Sequence, residues 1–313
     1  MGGFLLRRIA VAVPTLLLVS MLVFSLQQML PGDAAVALSG EEHDPKVIQF
    51  LRQKYHLDQP VPIQYGYWLN GVLHGDFGKS IRTGLPIGEM IRQKLPVTIE
   101  LSFLAIVIAI VIGMPAGVIA ALKRGSALDY GVSAVGLAGL SIPSFWFGIM
   151  LILLFAVRLG WFPAGGYVNF FDNPLANLQH LLLPSIVLGT AGAAIVMRHT
   201  RSSMLQTLKQ DYIRTARAKG LHERIVVVRH GLRNGLIPVL TTISLYFGEL
   251  LSGAVLTEQV FGIPGFGKMI VDGVFSRDYA VVQAVVLCAA AMFLLMSLLA
   301  DIGYALLSPR LRG

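Results

Sequence analysis

The sequence predicts an all-α integral membrane protein that crosses the bilayer six times. Three observations lead there. The chain has 313 residues, of which 55% are hydrophobic and only 13% charged, too little polar surface to wrap a soluble core of this size. Its mean hydropathy is +0.70, and the apolar residues gather into six runs near the length of about 20 residues that a helix needs to cross a membrane. The single cysteine, Cys288, sits in an apolar run, so no intramolecular disulfide or thiolate metal cluster can carry the fold.

The first run covers roughly residues 9 to 30. Arg7 and Arg8 precede it and Ala35-Val36-Ala37 imitates a cleavage site, as in a signal peptide. The uninterrupted stretch from Ile9 to Leu26 is longer than a usual signal core, which favours an uncleaved first helix over residues 1–30. Residues 31–95 read as a folded, helical extracytoplasmic cap. Asp44-Pro45 starts a helix, and Val47, Leu51 and Tyr55 give it an apolar face. Pro60 and Pro62 stop it; a second apolar-aromatic stretch from Tyr65 ends at Gly75-Asp76-Phe77-Gly78.

The remaining five runs, roughly 97 to 122, 131 to 157, 181 to 203, 235 to 257 and 281 to 306, form a five-span core over residues 97–307. Pro184, Gly189 and Gly192 weaken the fourth, although packed neighbours can satisfy such breaks. Gly113 and Gly117 form a G-x-x-x-G pair suited to close helix packing, in a bundle or a dimer.

Basic residues set the orientation. With the N-terminus inside, Arg7, Arg8, Lys123, Arg124, the nine Lys and Arg of 198–233, Arg310 and Arg312 are cytoplasmic. The opposite short loops hold Arg158, Lys268 and Arg277, and the seven basic residues of the long 31–95 segment are balanced by seven acidic ones. Both termini are expected in the cytoplasm. The formal charge of +8 therefore reflects topology and contact with anionic membrane lipid, and no nucleic acid is expected.

Motifs of catalysis are missing. No G-x-S-x-G, no H-E-x-x-H and no paired acids and histidines stand in the spans, and the seven histidines lack metal-site spacing, so neither a metal nor a cofactor is expected. Gly262 to Lys268 reads G-I-P-G-F-G-K, but Met269 replaces the hydroxyl of a nucleotide-binding P-loop and no buried strand precedes it; a tight external turn fits better. Ionisable residues in spans are costly, so Glu100, Glu249, Glu258 and Asp301 require partners or water. Glu100 and Asp301 lie near helix ends. Glu249, with Ser252 on the same helix, either faces a polar pathway or makes an interhelical hydrogen bond.

The cytoplasmic loop 198–234 is the most informative segment. Within it, Asp211-Tyr212-Ile213-Arg214-Thr215-Ala216-Arg217-Ala218-Lys219-Gly220-Leu221 combines helix formers with a glycine suited to end a helix. Small Thr215, Ala216 and Ala218 would let a partner protein approach, with Tyr212 and Leu221 as anchors.

This loop resembles the ATPase-docking element of ATP-binding-cassette importer permeases. Arg214-Thr215-Ala216 stands where the general motif has Glu-Ala-Ala, so Ala216 and Gly220 match, and Pro238 falls farther along than the general pattern. The longer strings Y-I-R-T-A-R-A-K-G-L and R-H-G-L-R-N-G-L-I-P-V, with L-P-G-D at 30–33, L-D-Q-P at 57–60, G-D-F-G at 75–78 and E-Q-V-F-G-I-P-G-F-G at 258–267, are similar to the B-type subunit of the dipeptide, oligopeptide and nickel class. Ala34 and His56 depart mildly from that pattern. The resemblance implies the six-helix type I importer permease fold in a bacterial inner membrane. It also implies a heterodimer with a sister permease, two cytoplasmic ATPase subunits that bind the ATP, and an extracytoplasmic solute-binding protein. Residues 211–221 would be the docking helix. Dipeptides or oligopeptides are the implied cargo, with nickel, glutathione, haem or another small solute as alternatives. A secondary transporter would also be polytopic, but should show inverted repeats and broken midplane helices around an ion site, and neither is clear here.

Overall fold

A computed structural model of the chain describes residues 2–28, 36, 44–54 and 56–307. The L-P-G-D string, Ala35 and Ala37, Tyr55, Arg310 and Arg312 lie outside the described residues. Every named element is a helix. The first, α1 (Gly2–Gln28), is an apolar rod that packs along the last helix and little else. Helix α2 (Pro45–Lys54) starts where Asp44 accepts a hydrogen bond from the Lys46 amide, and α3 (Val61–Leu73) follows. Pro62 opens α3 instead of stopping α2, because the first turn of a helix has no use for the missing N–H. Phe24 of α1 meets the Tyr65 ring edge-on at 5.5 Å, and the Ser20 and Tyr65 hydroxyls lie 2.8 Å apart, fixing α3 to α1.

Helix α4 (Ile87–Leu122) begins before its apolar run, which the hydropathy reading starts near 97. After α5 (Ala127–Ser141), the third run breaks: Ile142 is extended at ψ 124°, and α6 (Ser144–Leu151) with a π-helical tail, Ile152–Arg158, leaves at 96°. Pro143 causes the break by excluding the helical conformation from the residue before it. Among the described residues five helices are thus long and apolar enough to span a membrane, and the bent pair supplies the sixth crossing if it counts as one.

Helix α7 (Pro174–Thr207) is the most buried of these spans and packs chiefly on α4. The glycine pair is explained here. A methyl group on Gly113 would sit 2.5 Å from the Ala193 carbonyl oxygen, and one on Gly117 would sit 2.6 Å from that of Met197. The G-x-x-x-G face therefore closes an interface within this chain. A helix α8 (Asp211–Ala218) follows, then one turn at Glu223–Ile225, a π-helical stretch Val226–Leu232 and the span α9 (Arg233–Gly253). Tyr246 of α9 donates to the Leu188 carbonyl at 2.8 Å, binding α9 to α7 inside the main core. Short helices α10 (Val255–Val260) and α11 (Phe266–Phe275) lead to the last span, α12 (Tyr279–Leu307).

Candidate functional site

The segment read as a loop over 198–234 is mostly helix. Helix α7 continues through Arg198 to Thr207 and the root of α9 begins at Glu223, leaving residues 208–222 as the projecting element. Its helix, Asp211–Ala218, ends as the glycine foretells. Gly220 has φ +75°, its amide donates to the Arg217 carbonyl at 2.9 Å, and the Leu221 amide reaches back to Ala216 at 3.4 Å. This pairing satisfies carbonyls that a helix end leaves orphaned. A side chain added at Gly220 would meet nothing within 4 Å, so the position requires glycine for its backbone angle and faces open space.

Helix α8 has two faces. Ile213 and Ala216, three residues apart, are buried against Val226 and Leu208. The smallness of Ala216 therefore serves packing within the chain. Asp211, Tyr212, Arg214, Thr215, Arg217, Ala218, Lys219, Gly220 and Leu221 are exposed. Sequence reasoning did not single out Ile213, although it is the one large aliphatic residue in an otherwise polar helix, next to the apolar run Val226-Val227-Val228.

Two polar fastenings join α8 to the root of α9. The Tyr212 hydroxyl donates to the His230 carbonyl at 3.4 Å and accepts from the Asn234 amide at 3.1 Å. A π-helical stretch shifts its carbonyls out of the ordinary ladder, and Tyr212 meets one of these. Arg217 forms a bidentate pair with Glu223, at 2.6 and 3.1 Å. The carboxylate holds the guanidinium further above its ordinary value, so Arg217 stays charged. Between α7 and α8, by contrast, there are only Leu208, Lys209 and Gln210.

One further contact extends this unit. Arg201 of α7 makes a bidentate pair, at 2.6 and 2.8 Å, with buried Asp129 of α5, whose carboxylate also accepts from the Gly125 amide. Two of the basic residues assigned to the loop by sequence, Arg198 and Arg201, thus belong to a long helix, and Arg201 ties a second span to it.

The other singled-out residues lie elsewhere. Glu249 is exposed on α9 and makes no hydrogen bond, so the interhelical bond considered for it is absent from the described structure. Ser252 donates to the Gly248 carbonyl at 2.8 Å and approaches the Ala289 carbonyl of α12 at 3.4 Å. Glu100 accepts from the Tyr167 hydroxyl at 3.0 Å and the Asn177 amide at 2.9 Å; Asp301 pairs with Arg8 at 2.8 Å.

The P-loop look-alike at 262–268 does hold an anion, but one from its own chain. The Lys268 amide donates to the fully buried Glu258 carboxylate at 2.6 Å, joined by the Gly267 amide and by the Thr98 hydroxyl at 2.6 Å. Phe266 donates its amide to Thr98 Oγ1 at 2.8 Å. The N-terminus of α11 thus binds a carboxylate where a P-loop binds phosphate. Among the described residues no group of three or more His, Cys, Asp or Glu could hold a metal ion.

Comparison with known proteins covers nearly the whole chain. Residues 113–313 match the family described as "Binding-protein-dependent transport system inner membrane component", and residues 1–102 match the N-terminal family of such membrane components. The oligopeptide transport system permease protein AppB of Bacillus subtilis is 42% identical over 318 residues, covering 99% of each chain. The di/tripeptide transport system permease protein DppB of Pseudomonas aeruginosa is also 42% identical, over 333 residues, covering 100% of this chain and 99% of that protein. Among solved structures, an inward-facing conformation of the MetNI methionine ABC transporter aligns with TM-score 0.59 at 18% identity, covering 70% of this chain and 96% of that one.

Proposed function

The chain belongs to the family of inner membrane components of binding-protein-dependent transport systems, and from that premise we propose that it forms half of the translocation pathway for dipeptides or oligopeptides and docks a cytoplasmic ATPase through α8. Its fold is that of the type I importer permeases, and it is a multi-pass inner membrane protein. The observation that carries the cargo reading is the end-to-end match to permeases named for di-, tri- and oligopeptides.

The docking reading rests on the two-faced geometry of α8. An inward face of Ile213 and Ala216 seats the helix, and its outward face ends at a glycine with free space around it. ATPase closure pushes this face. Because Tyr212, Arg217 and the buried pair fasten α8 to the root of α9, and Arg201 fastens α7 to α5, the push reaches three spans as one rigid displacement, which changes the side to which the pathway opens. ATP hydrolysis belongs to the partner subunits. Glu249 and Ser252 contribute polar groups on α9 toward the pathway or the sister permease. A heterodimer with a sister permease supplies the other half of the pathway. A solute-binding protein delivers cargo on the side of the 31–95 segment, and both termini lie in the cytoplasm, following the basic residues.

The test is Gly220→Trp in proteoliposomes containing the complete transporter. The reading predicts loss of ATPase co-purification and of substrate-stimulated hydrolysis; both remaining at wild-type level would refute the docking role. Cargo is tested separately, by the thermal shift of the solute-binding protein against a panel of peptides and metals. Tight binding of a non-peptide would overturn the peptide assignment.

A further inference from the structure

A cleft of about 550 Å³ runs between the N-terminal half of α1 and the C-terminal half of α12. Its walls are apolar, with Val11 and Leu16 on one side and Leu294 and Leu298 on the other. Its mouth is charged. Arg7, Arg8 and Asp301 stand there, and the Arg8 guanidinium and Asp301 carboxylate pair at 2.8 Å. Arg7 has no carboxylate partner among the described residues, and of the described charges at the mouth two are cations and one an anion.

The dimensions match one membrane leaflet. From Arg7 to Leu16 is nine residues, or about 14 Å of helix at 1.5 Å per residue. From Asp301 back to Ala291 is ten residues, or about 15 Å. Both agree with half of the roughly 30 Å hydrocarbon thickness of a bilayer. Ser297, one helical turn deeper than Asp301, also lines the cleft and puts a hydroxyl just below the charged mouth.

We propose that this cleft is a binding site for one anionic phospholipid, with the phosphate at Arg7, the glycerol esters near Ser297 and an acyl chain between α1 and α12. Charge complementarity selects the occupant. A zwitterionic lipid brings no net negative charge to the surplus cation, and an apolar partner helix would leave that cation without a counter-charge in the membrane interface. The lipid also completes a contact that the chain makes poorly alone, since α1 is the least buried of the spans and rests mainly on α12. The assignment depends on the proposed cytoplasmic position of the termini only for which leaflet supplies the lipid.

Native mass spectrometry of the full chain, purified with its co-purifying subunits and titrated with phosphatidylglycerol or phosphatidylcholine of matched chains, tests this. Phosphatidylglycerol is expected to stay bound at collision energies that strip phosphatidylcholine. Arg7→Gln should lower its occupancy roughly fivefold, the effect of one basic group at an anionic surface. Ala12→Phe, which fills the wall and leaves every charge in place, should lower it as well, and serves if Arg7→Gln fails to fold. Arg124→Gln, an exposed cation outside the cleft, should change nothing. Equal retention of the two lipids would overturn the proposal. So would wild-type binding by Ala12→Phe, or retention by the free chain but not by the complex, which would mean that another chain covers the cleft. ATPase co-purification is read from the same spectra, so failure of lipid binding and failure of the docking reading appear as separate results.

Discussion

The glycine-rich segment at 258–268 and the projecting element at 208–222 use similar local chemistry for opposite ends. Each sets a helix end beside a glycine and has a carboxylate bonded to its own chain. In the first, Glu258 is fully buried and takes three donors, and Gly265 has no room for a methyl group because the carboxylate fills the space. In the second, Gly220 stands in open space, and the charged side chains are exposed even where they pair. The difference separates scaffold from surface. A conspicuous motif whose polar groups are all consumed internally is holding the fold, and the face proposed for docking is the one whose polar and apolar groups remain outside.

The largest effect is expected at Glu258. Glu258→Ala leaves the Thr98 hydroxyl and two amides without their buried acceptor, and truncating one partner of such a buried charged network costs about 3–5 kcal/mol. The expected outcome is a large fall in detergent melting temperature and in membrane accumulation. Gly265→Ala should act in the same direction by overpacking, costing about 1–3 kcal/mol. Neither result should depend on the presence of ATPase subunits.

At Gly220 the effects should part. Gly220→Ala costs about 1–2 kcal/mol through the left-handed backbone alone, so melting shifts a little and docking weakens modestly. Gly220→Trp carries nearly the same backbone cost but should abolish co-purification of the ATPase. If Ala and Trp weakened docking equally, backbone strain and not the outer surface would be responsible.

Asp129→Asn acts where α5 meets α7. It removes the charge that Arg201 grips while preserving shape. ATPase association should persist while transport per ATP hydrolysed falls, which counting transported peptide against released phosphate would reveal. The smallest effect is expected for Tyr212→Phe, which loses exposed hydrogen bonds at 3.1 and 3.4 Å to the root of α9. A net change of about 0.5–1.5 kcal/mol is the range for such a bond, and the low end applies at an exposed site. It should appear as a slightly lower coupling ratio with only a small fall in melting temperature.

Much of this architecture is legible in the sequence, and the gaps have physical causes. Hydropathy locates the spans because a membrane demands about 20 apolar residues wherever a helix crosses. Proline does not read so simply. Pro14, Pro96, Pro115, Pro184 and Pro238 lie inside continuous helices, whereas Pro143 follows the end of one, because there the preceding residue turns extended. Helix α8 and its glycine end are visible because the backbone requirement at Gly220 is local. Its inward face is not, because Ile213 and Ala216 are defined by Val226, ten or more residues away. The same holds for Glu258, whose donors come from residues 98, 267 and 268. Sequence marks it as an expensive acid in an apolar setting and leaves the partner unknown.

The most direct measurement is a cross-linking scan of α8 in membranes containing the ATPase subunits. Single cysteines are placed at Ile213, Thr215, Ala216, Ala218 and Lys219, after replacing the native Cys288, and are linked to the ATPase with a short thiol-to-amine reagent. Docking through the outer face predicts strong adducts from Thr215, Ala218 and Lys219 and weak ones from Ile213 and Ala216. Uniform labelling, or no adduct from the three outer positions, would contradict it.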